Sequence, residues 1–244
     1  MNPSNATIKV VLIQVRDQKH IAEHERNCFA ERLGLDRVEL HTLNVTENPN
    51  ITMGDVDPYA AVILGGAGAH TVTEDYDFTG PMADLVLKLV DADRPMFGSC
   101  WGHQFIAKVL GGSVITDIAH EEVGTFNLWL SDDGETDPLF EGLPNSFFGH
   151  MGHHDYVVRL PEQAVELAYS QRCRNQVFRL RDKLVYGTQF HAEMDAARLI
   201  ERLGFYRESY VPDNDVFETL TSNPVPTPES DKLLARFIDL ISQS

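Results

Sequence analysis

Apolar residues follow two different rhythms along the chain, and the change between them divides it near Gly112. In the first half, short continuous apolar runs alternate with segments spaced at helical intervals. Residues 8–13 read as a buried strand, and residues 20–33 have the spacing of a helix that Gly34 ends. Residues 38–43 give a second strand and 44–58 a polar loop. Residues 60–64 form a third strand that runs into Gly65-Gly66-Ala67-Gly68. Helical spacing returns over 82–90, a short strand over 94–97, and a helix through 106–110 that Gly111-Gly112 terminates. Strand and helix in alternation predict an open, mostly parallel sheet covered by helices.

Beyond Gly112 the strands are shorter and more alternating, at 113–118, 124–130, 156–160, 164–169, 176–180 and 184–190. They predict a smaller antiparallel or mixed region in the second half. Helical patterns resume at 196–203 and 232–241, joined by a Pro-rich connector at 221–228. The expected architecture is α/β, one domain over 1–244, with a C-terminal extension from about 211 that ends in a helix.

Composition narrows the class of function. The 244 residues are 43% apolar and 23% charged, ordinary values for a globular chain. No run approaches the roughly 18 apolar residues of a membrane span, and the opening MNPSNATIKV has neither a basic nor an apolar signal region, so a cytoplasmic location is expected. Lys and Arg number 20 against 37 Asp and Glu, a formal net charge of −17. That field repels phosphate backbones and anionic lipid, so neither nucleic acid nor membrane is expected as a partner. Three widely spaced cysteines, Cys28, Cys100 and Cys173, fit reduced thiols better than a disulfide framework.

One of the three stands in a distinctive setting. Gly98-Ser99-Cys100-Trp101-Gly102 follows a predicted strand and opens a predicted helix, the context of a nucleophile elbow with Cys in place of Ser. A side chain presented on so sharp a turn leaves little room two residues to either side, which calls for glycine there. The helix N-terminus also favours thiolate over thiol. Cys28 and Cys173 lack this context.

A cysteine nucleophile needs an imidazole, and the imidazole needs an orienting group. In an extended segment, alternate residues share a face, so His-x-Glu or His-x-Asp aligns ring and carboxylate. His120 with Glu122, His153 with Asp155, and His191 with Glu193 all qualify. Spacing alone does not choose among them. His191 follows the strand at 184–190, which should deliver it to a sheet edge.

The phrases Gly98-Ser99-Cys100-Trp101-Gly102-His103-Gln104 and Gly187-Thr188-Gln189-Phe190-His191-Ala192-Glu193 together resemble those of class I glutamine amidotransferases, similar to stand-alone relatives of the GMP synthetase glutaminase domain. The resemblance takes in Leu64-Gly65-Gly66 and His153-His154-Asp155-Tyr156-Val157, and leaves the tail after about Tyr210 outside. It implies a flavodoxin-like α/β fold and a Cys100, His191, Glu193 triad that attacks the side-chain amide of glutamine through a γ-glutamyl thioester. It assigns the oxyanion hole to the backbone N–H groups of Gly66 and Trp101, and substrate contacts to Gln104, His153 and Asp155. No cofactor and no metal are implied. Where many relatives have proline, this chain has Ala67 and Ala192.

Two versions of the chemistry follow from the resemblance. Either ammonia from glutamine passes to a separate synthetase, or the same triad hydrolyses another γ-glutamyl compound. A non-catalytic regulatory module on this fold is the alternative from another class. The run His150-Met151-Gly152-His153-His154-Asp155 also contains metal-ligand types at short spacing, but the resemblance makes it a loop bordering the substrate pocket.

Overall fold

The computed structural model describes residues 7–34, 36–211 and 213–243. Its centre is a nine-stranded sheet in the order β2-β1-β3-β4-β11-β10-β9-β6-β7. The strands are β1 (Ile8–Val15), β2 (Val38–Asn44), β3 (Ala61–Ala67), β4 (Met96–Ser99), β6 (Glu122–Leu130), β7 (Ser146–His153), β9 (Ala164–Ser170), β10 (Val177–Leu180) and β11 (Val185–Thr188). A separate two-stranded sheet pairs β5 (Ser113–Thr116) with β8 (Asp155–Arg159). The helices are α1 (Lys19–Leu33), α2 (Met53–Val56), α3 (Thr79–Asp91), α4 (Trp101–Val109), α5 (Asp132–Thr136), α6 (Ala196–Phe205), α7 (Arg207–Tyr210), α8 (Asn214–Ser222) and α9 (Leu233–Gln243).

The first five strands in this order, from β2 to β11, are parallel. The remaining four continue the same sheet in antiparallel pairing. The sheet is therefore mixed rather than mostly parallel, and most of the later strands extend it instead of forming a region of their own.

β1 shows why its apolar run is unbroken. Val10 and Leu12 face one hydrophobic cluster, with Phe29 of α1, Phe97 of β4 and Phe237 of α9. Val11 and Ile13 face the other, with Met82 and Leu85 of α3 and Phe105 and Ile106 of α4. All four β1 residues are fully buried, so both faces of the strand must be apolar. α9 contributes Leu233, Leu234, Phe237 and Ile238 to the first cluster and so is part of the core.

Most of the run from His150, expected as a loop, belongs to strand β7, which ends at His153. Phe147, Gly149, Met151 and His153 alternate inward along β7, and two of the intervening positions, Ser146 and Phe148, are exposed. Glycines at 149 and 152 weaken that alternation in the sequence. Pairing with β6 brings Glu122 opposite His153. No helix among the described residues is long and apolar enough to cross a membrane.

Candidate active site

The site gathers where β3, β4 and β11 end, the crevice outside the carboxyl ends of parallel strands. β4 and β11 are neighbours in register, Ser99 opposite Thr188. The residue after β4 is Cys100, whose N–H donates to the Thr188 carbonyl at 2.8 Å. Its φ is 52° with ψ −100°, a strained conformation for a non-glycine residue and one that marks functional turns. The flanking glycines are sterically required. A Cβ at Gly98 would lie 2.6 Å from the Gly102 carbonyl carbon, and one at Gly102 would lie 2.2 Å from the Leu64 carbonyl oxygen on β3. The turn thus packs against both its own helix and the neighbouring strand.

His191 lies just beyond β11 and is fastened there by its own N–H, which donates to the His150 carbonyl at 2.9 Å. Its Nδ1 is 2.7 Å from Glu193 Oε1, and the ring is in hydrogen-bonding contact with Cys100. Ser99 Oγ donates to the other Glu193 oxygen at 2.8 Å. Burial disfavours the imidazolium, yet the Glu193 charge and the Cys100 sulfur outweigh it and hold His191 up at about 9. Burial likewise disfavours the Glu193 carboxylate, but His191, Arg202 and the Ser99 bond bring it down to about 2. Burial instead pushes Cys28 and Cys173 up to about 12, which leaves both inert at neutral pH.

Two cavities meet at Cys100. The larger, about 420 Å³, is lined by Gln104, His153 and Asp155 together with Thr71 and Thr116. The Asp155 carboxylate accepts from Thr116 Oγ1 at 2.6 Å and from Thr71 Oγ1. The pairing of β5 with β8 sets Thr116 opposite Asp155. Gln104 spends its amide hydrogens on the Asp155 carbonyl at 2.7 Å and on Gln189 Oε1 at 3.1 Å, and Gln189 Nε2 reaches 3.8 Å from the Cys100 sulfur. The smaller cavity, about 30 Å³, is lined by His191 and Arg16.

The other two His-x-acid pairs dissolve in space. His120 meets Asp117 at 2.7 Å. His153 Nε2 lies 3.2 Å from Glu122 Oε2, while Nδ1 is 3.0 Å from the backbone carbonyl of Asp155, not its carboxylate. Glu122 is also bonded by Ser170 Oγ at 2.7 Å and Gln176 Nε2 at 2.5 Å. Among the described residues no three His, Cys, Asp or Glu side chains converge as a metal site.

Trp101 is the first residue of α4, where backbone N–H groups lack an intrahelical acceptor. Gly66, by contrast, donates its N–H to Glu25 Oε1 at 3.1 Å. That buried carboxylate also accepts from Arg16 Nη2 at 2.6 Å and Gln14 Nε2 at 3.0 Å. Ala67 is held by strand pairing with Val15, so β3 fixes the loop without a proline ring. Sequence reasoning missed Ser99, Gln189, Thr71, Thr116, Arg16 and Glu25. Ser99 and Gln189 adjoin the motifs and were findable by their nearness to Cys100 and His191; the others have no local signal.

Residues 26–200 match the profile described as glutamine amidotransferase class-I. The chain belongs to the class I glutamine amidotransferases. This amidotransferase is 37% identical over 138 residues to a GMP synthase (glutamine-hydrolyzing) of Caldicellulosiruptor saccharolyticus, covering 57% of the chain but 25% of that protein. It is 33% identical over 162 residues to one subunit of the GMP synthase (glutamine-hydrolyzing) of Sulfurisphaera tokodaii, covering 66% of the chain and 78% of that relative. The chain therefore spans about a quarter of the full-length synthase. In fold, the amidotransferase is similar to a glutamine amidotransferase crystal structure from Thermotoga maritima, with a TM-score of 0.74 at 24% identity over 98% of this chain and 100% of that one.

Proposed function

We propose that Cys100, His191 and Glu193 form an amide-cleaving triad and that its substrate is free glutamine, as a stand-alone glutaminase serving a separate ammonia-accepting synthetase. The carrying observation is the buried relay from Ser99 through Glu193 to His191 and on to Cys100, placed at the strained turn after β4. Likeness to a GMP synthase whose glutamine-hydrolyzing part is a chain of its own supports the separate synthetase.

In the proposed course, the Cys100 sulfur attacks the side-chain amide carbon of glutamine, forming an S–C bond and placing negative charge on the amide oxygen. The Trp101 N–H at the head of α4 donates to that oxygen. The Gly66 N–H can join only by leaving Glu25. Collapse breaks the C–N bond, and ammonia departs with a proton from His191. Water then adds to the thioester carbon, giving a proton to His191, and the S–C bond breaks to release glutamate. Glu193 keeps the imidazole in its orientation throughout. In the larger cavity the Asp155 carboxylate receives the α-ammonium of the substrate, with Gln104 and His153 shaping the wall.

An electrophilic glutamine analogue is expected to add its mass once to the native chain, at Cys100, as read by intact and peptide mass spectrometry. Modification at Cys28 or Cys173 instead would remove Cys100 as the nucleophile.

The protonation of His191 gives a pH expectation with a definite sign. The step that expels ammonia needs the imidazolium, which persists until the pH rises through about 9. The kcat/KM profile for glutamine should therefore hold across neutral pH and fall on an alkaline limb near 9. A limb centred below about 7.5, near the ordinary value of histidine, would contradict the ion-paired arrangement.

A further inference from the structure

The two cavities at Cys100 lie on different sides of the reacting atoms and differ greatly in size. The one with Gln104 and Asp155 has room for an amino acid, at about 420 Å³. The one His191 faces has about 30 Å³, enough for one or two molecules the size of water or ammonia. Since His191 protonates the departing nitrogen in the triad reading, the small cavity is where the leaving group goes.

Its far wall is built from residues beyond the 26–200 span of the family match, Leu203 of α6 and Tyr206 just after it. The Tyr206 ring lies directly on the glycine loop: a Cβ at Gly68 would fall 1.9 Å from Tyr206 Cζ. The Tyr206 hydroxyl accepts from Arg16 Nη1 at 3.1 Å. Arg16 is itself 3% exposed and is held by the fully buried Glu25, which also accepts from the Gly66 N–H. The aromatic wall is thus latched to the same buried ion pair that anchors the loop.

We propose that Tyr206, backed by Leu203 and latched by Arg16, is a specificity-determining residue that filters the leaving group. It admits primary amides, which release ammonia, and excludes γ-glutamyl amides that carry a substituent on nitrogen. This inference rests on the triad reading and decides, within it, between glutamine and γ-glutamyl peptides. An N-ethyl group adds two carbon atoms at the nitrogen, and the enclosed space has no place for them beside the hydrolytic water. The filter acts on what departs, leaving recognition of the glutamyl half to the larger cavity.

The test compares kcat/KM for glutamine and for γ-glutamylethylamide. The native chain should prefer glutamine by about 100-fold or more. Tyr206→Ala should narrow that ratio by about tenfold or more, through a gain on the ethylamide. Tyr206→Phe, which keeps the ring over Gly68, should retain the native ratio. Leu203→Ala opens the same space from the helix side and should narrow the ratio too, which keeps the proposal testable if Tyr206→Ala does not fold. Equal use of both substrates by the native chain, an unchanged ratio in Tyr206→Ala and Leu203→Ala, or a Tyr206→Phe shift as large as that of alanine would overturn it. Cys100→Ala distinguishes a failed filter from a failed triad. Turnover that survives this change defeats the triad reading and the filter with it, whereas efficient ethylamide hydrolysis by the native chain that Cys100→Ala abolishes defeats the filter alone.

Discussion

Cys100→Ala is expected to lower glutamine turnover by on the order of 10⁴-fold or more, with His191→Ala close behind and the double variant no slower than the slower single. The non-additivity is the informative part. Sulfur and imidazole act on the same bonds, so once either is gone the other has nothing left to do. Both side chains are nearly buried at the rim of the sheet, and the backbone of each is fixed by a hydrogen bond to a neighbouring segment. Their truncation should therefore leave the circular dichroism spectrum and melting cooperativity unchanged. Steady-state ammonia release, measured beside those controls, decides the matter. Native-like turnover in His191→Ala would move the base elsewhere, with His153 next to be tested because it lines the substrate cavity.

The largest stability effect is expected at Glu25. Alanine there strands the Arg16 guanidinium, which is almost wholly buried, and removes the acceptor for the Gly66 N–H and for Gln14 Nε2. Leaving a buried charge without its partner costs about 3–5 kcal/mol, equivalent to a fall of roughly 10 °C or more in Tm for a chain of this length. Tyr206 keeps one Arg16 bond, which places the expectation toward the lower part of that range. Glu25→Gln retains an acceptor for the glycine loop and should cost less than alanine. Chemical denaturation at neutral pH measures both, and a loss under about 1 kcal/mol for alanine would mean that water reaches Arg16.

How much of the fold and site is legible in the chain depends on how local the signal is. The unbroken apolar runs of β1 and β3 are legible because both faces of a covered strand must be apolar, and the glycines flanking Cys100 because the turn forbids a Cβ there. β7 is hidden because Gly149 and Gly152 carry no side chain and Phe148 points outward. α8 is hidden because two of its apolar side chains, Phe217 and Leu220, pack on a small satellite cluster rather than on either main core. The pairing of His153 with Glu122 depends on strand register, which no spacing within either strand reveals. Arg16 and Tyr206 are 190 positions apart. Contacts of that range arise only once the chain has closed on itself, and the sequence holds no local mark of them.

The placement of Cys100 and His191 after two hydrogen-bonded neighbours, β4 and β11, has a further consequence. The two reacting groups ride on one stiff plate, so their separation is indifferent to movement at the periphery. Tyr206, Thr71 and the segments bearing them can diverge and change which molecules enter or leave. The chemistry and its selectivity are mechanically decoupled, and descendants of this chain can acquire new substrates without rebuilding the machinery that cleaves them.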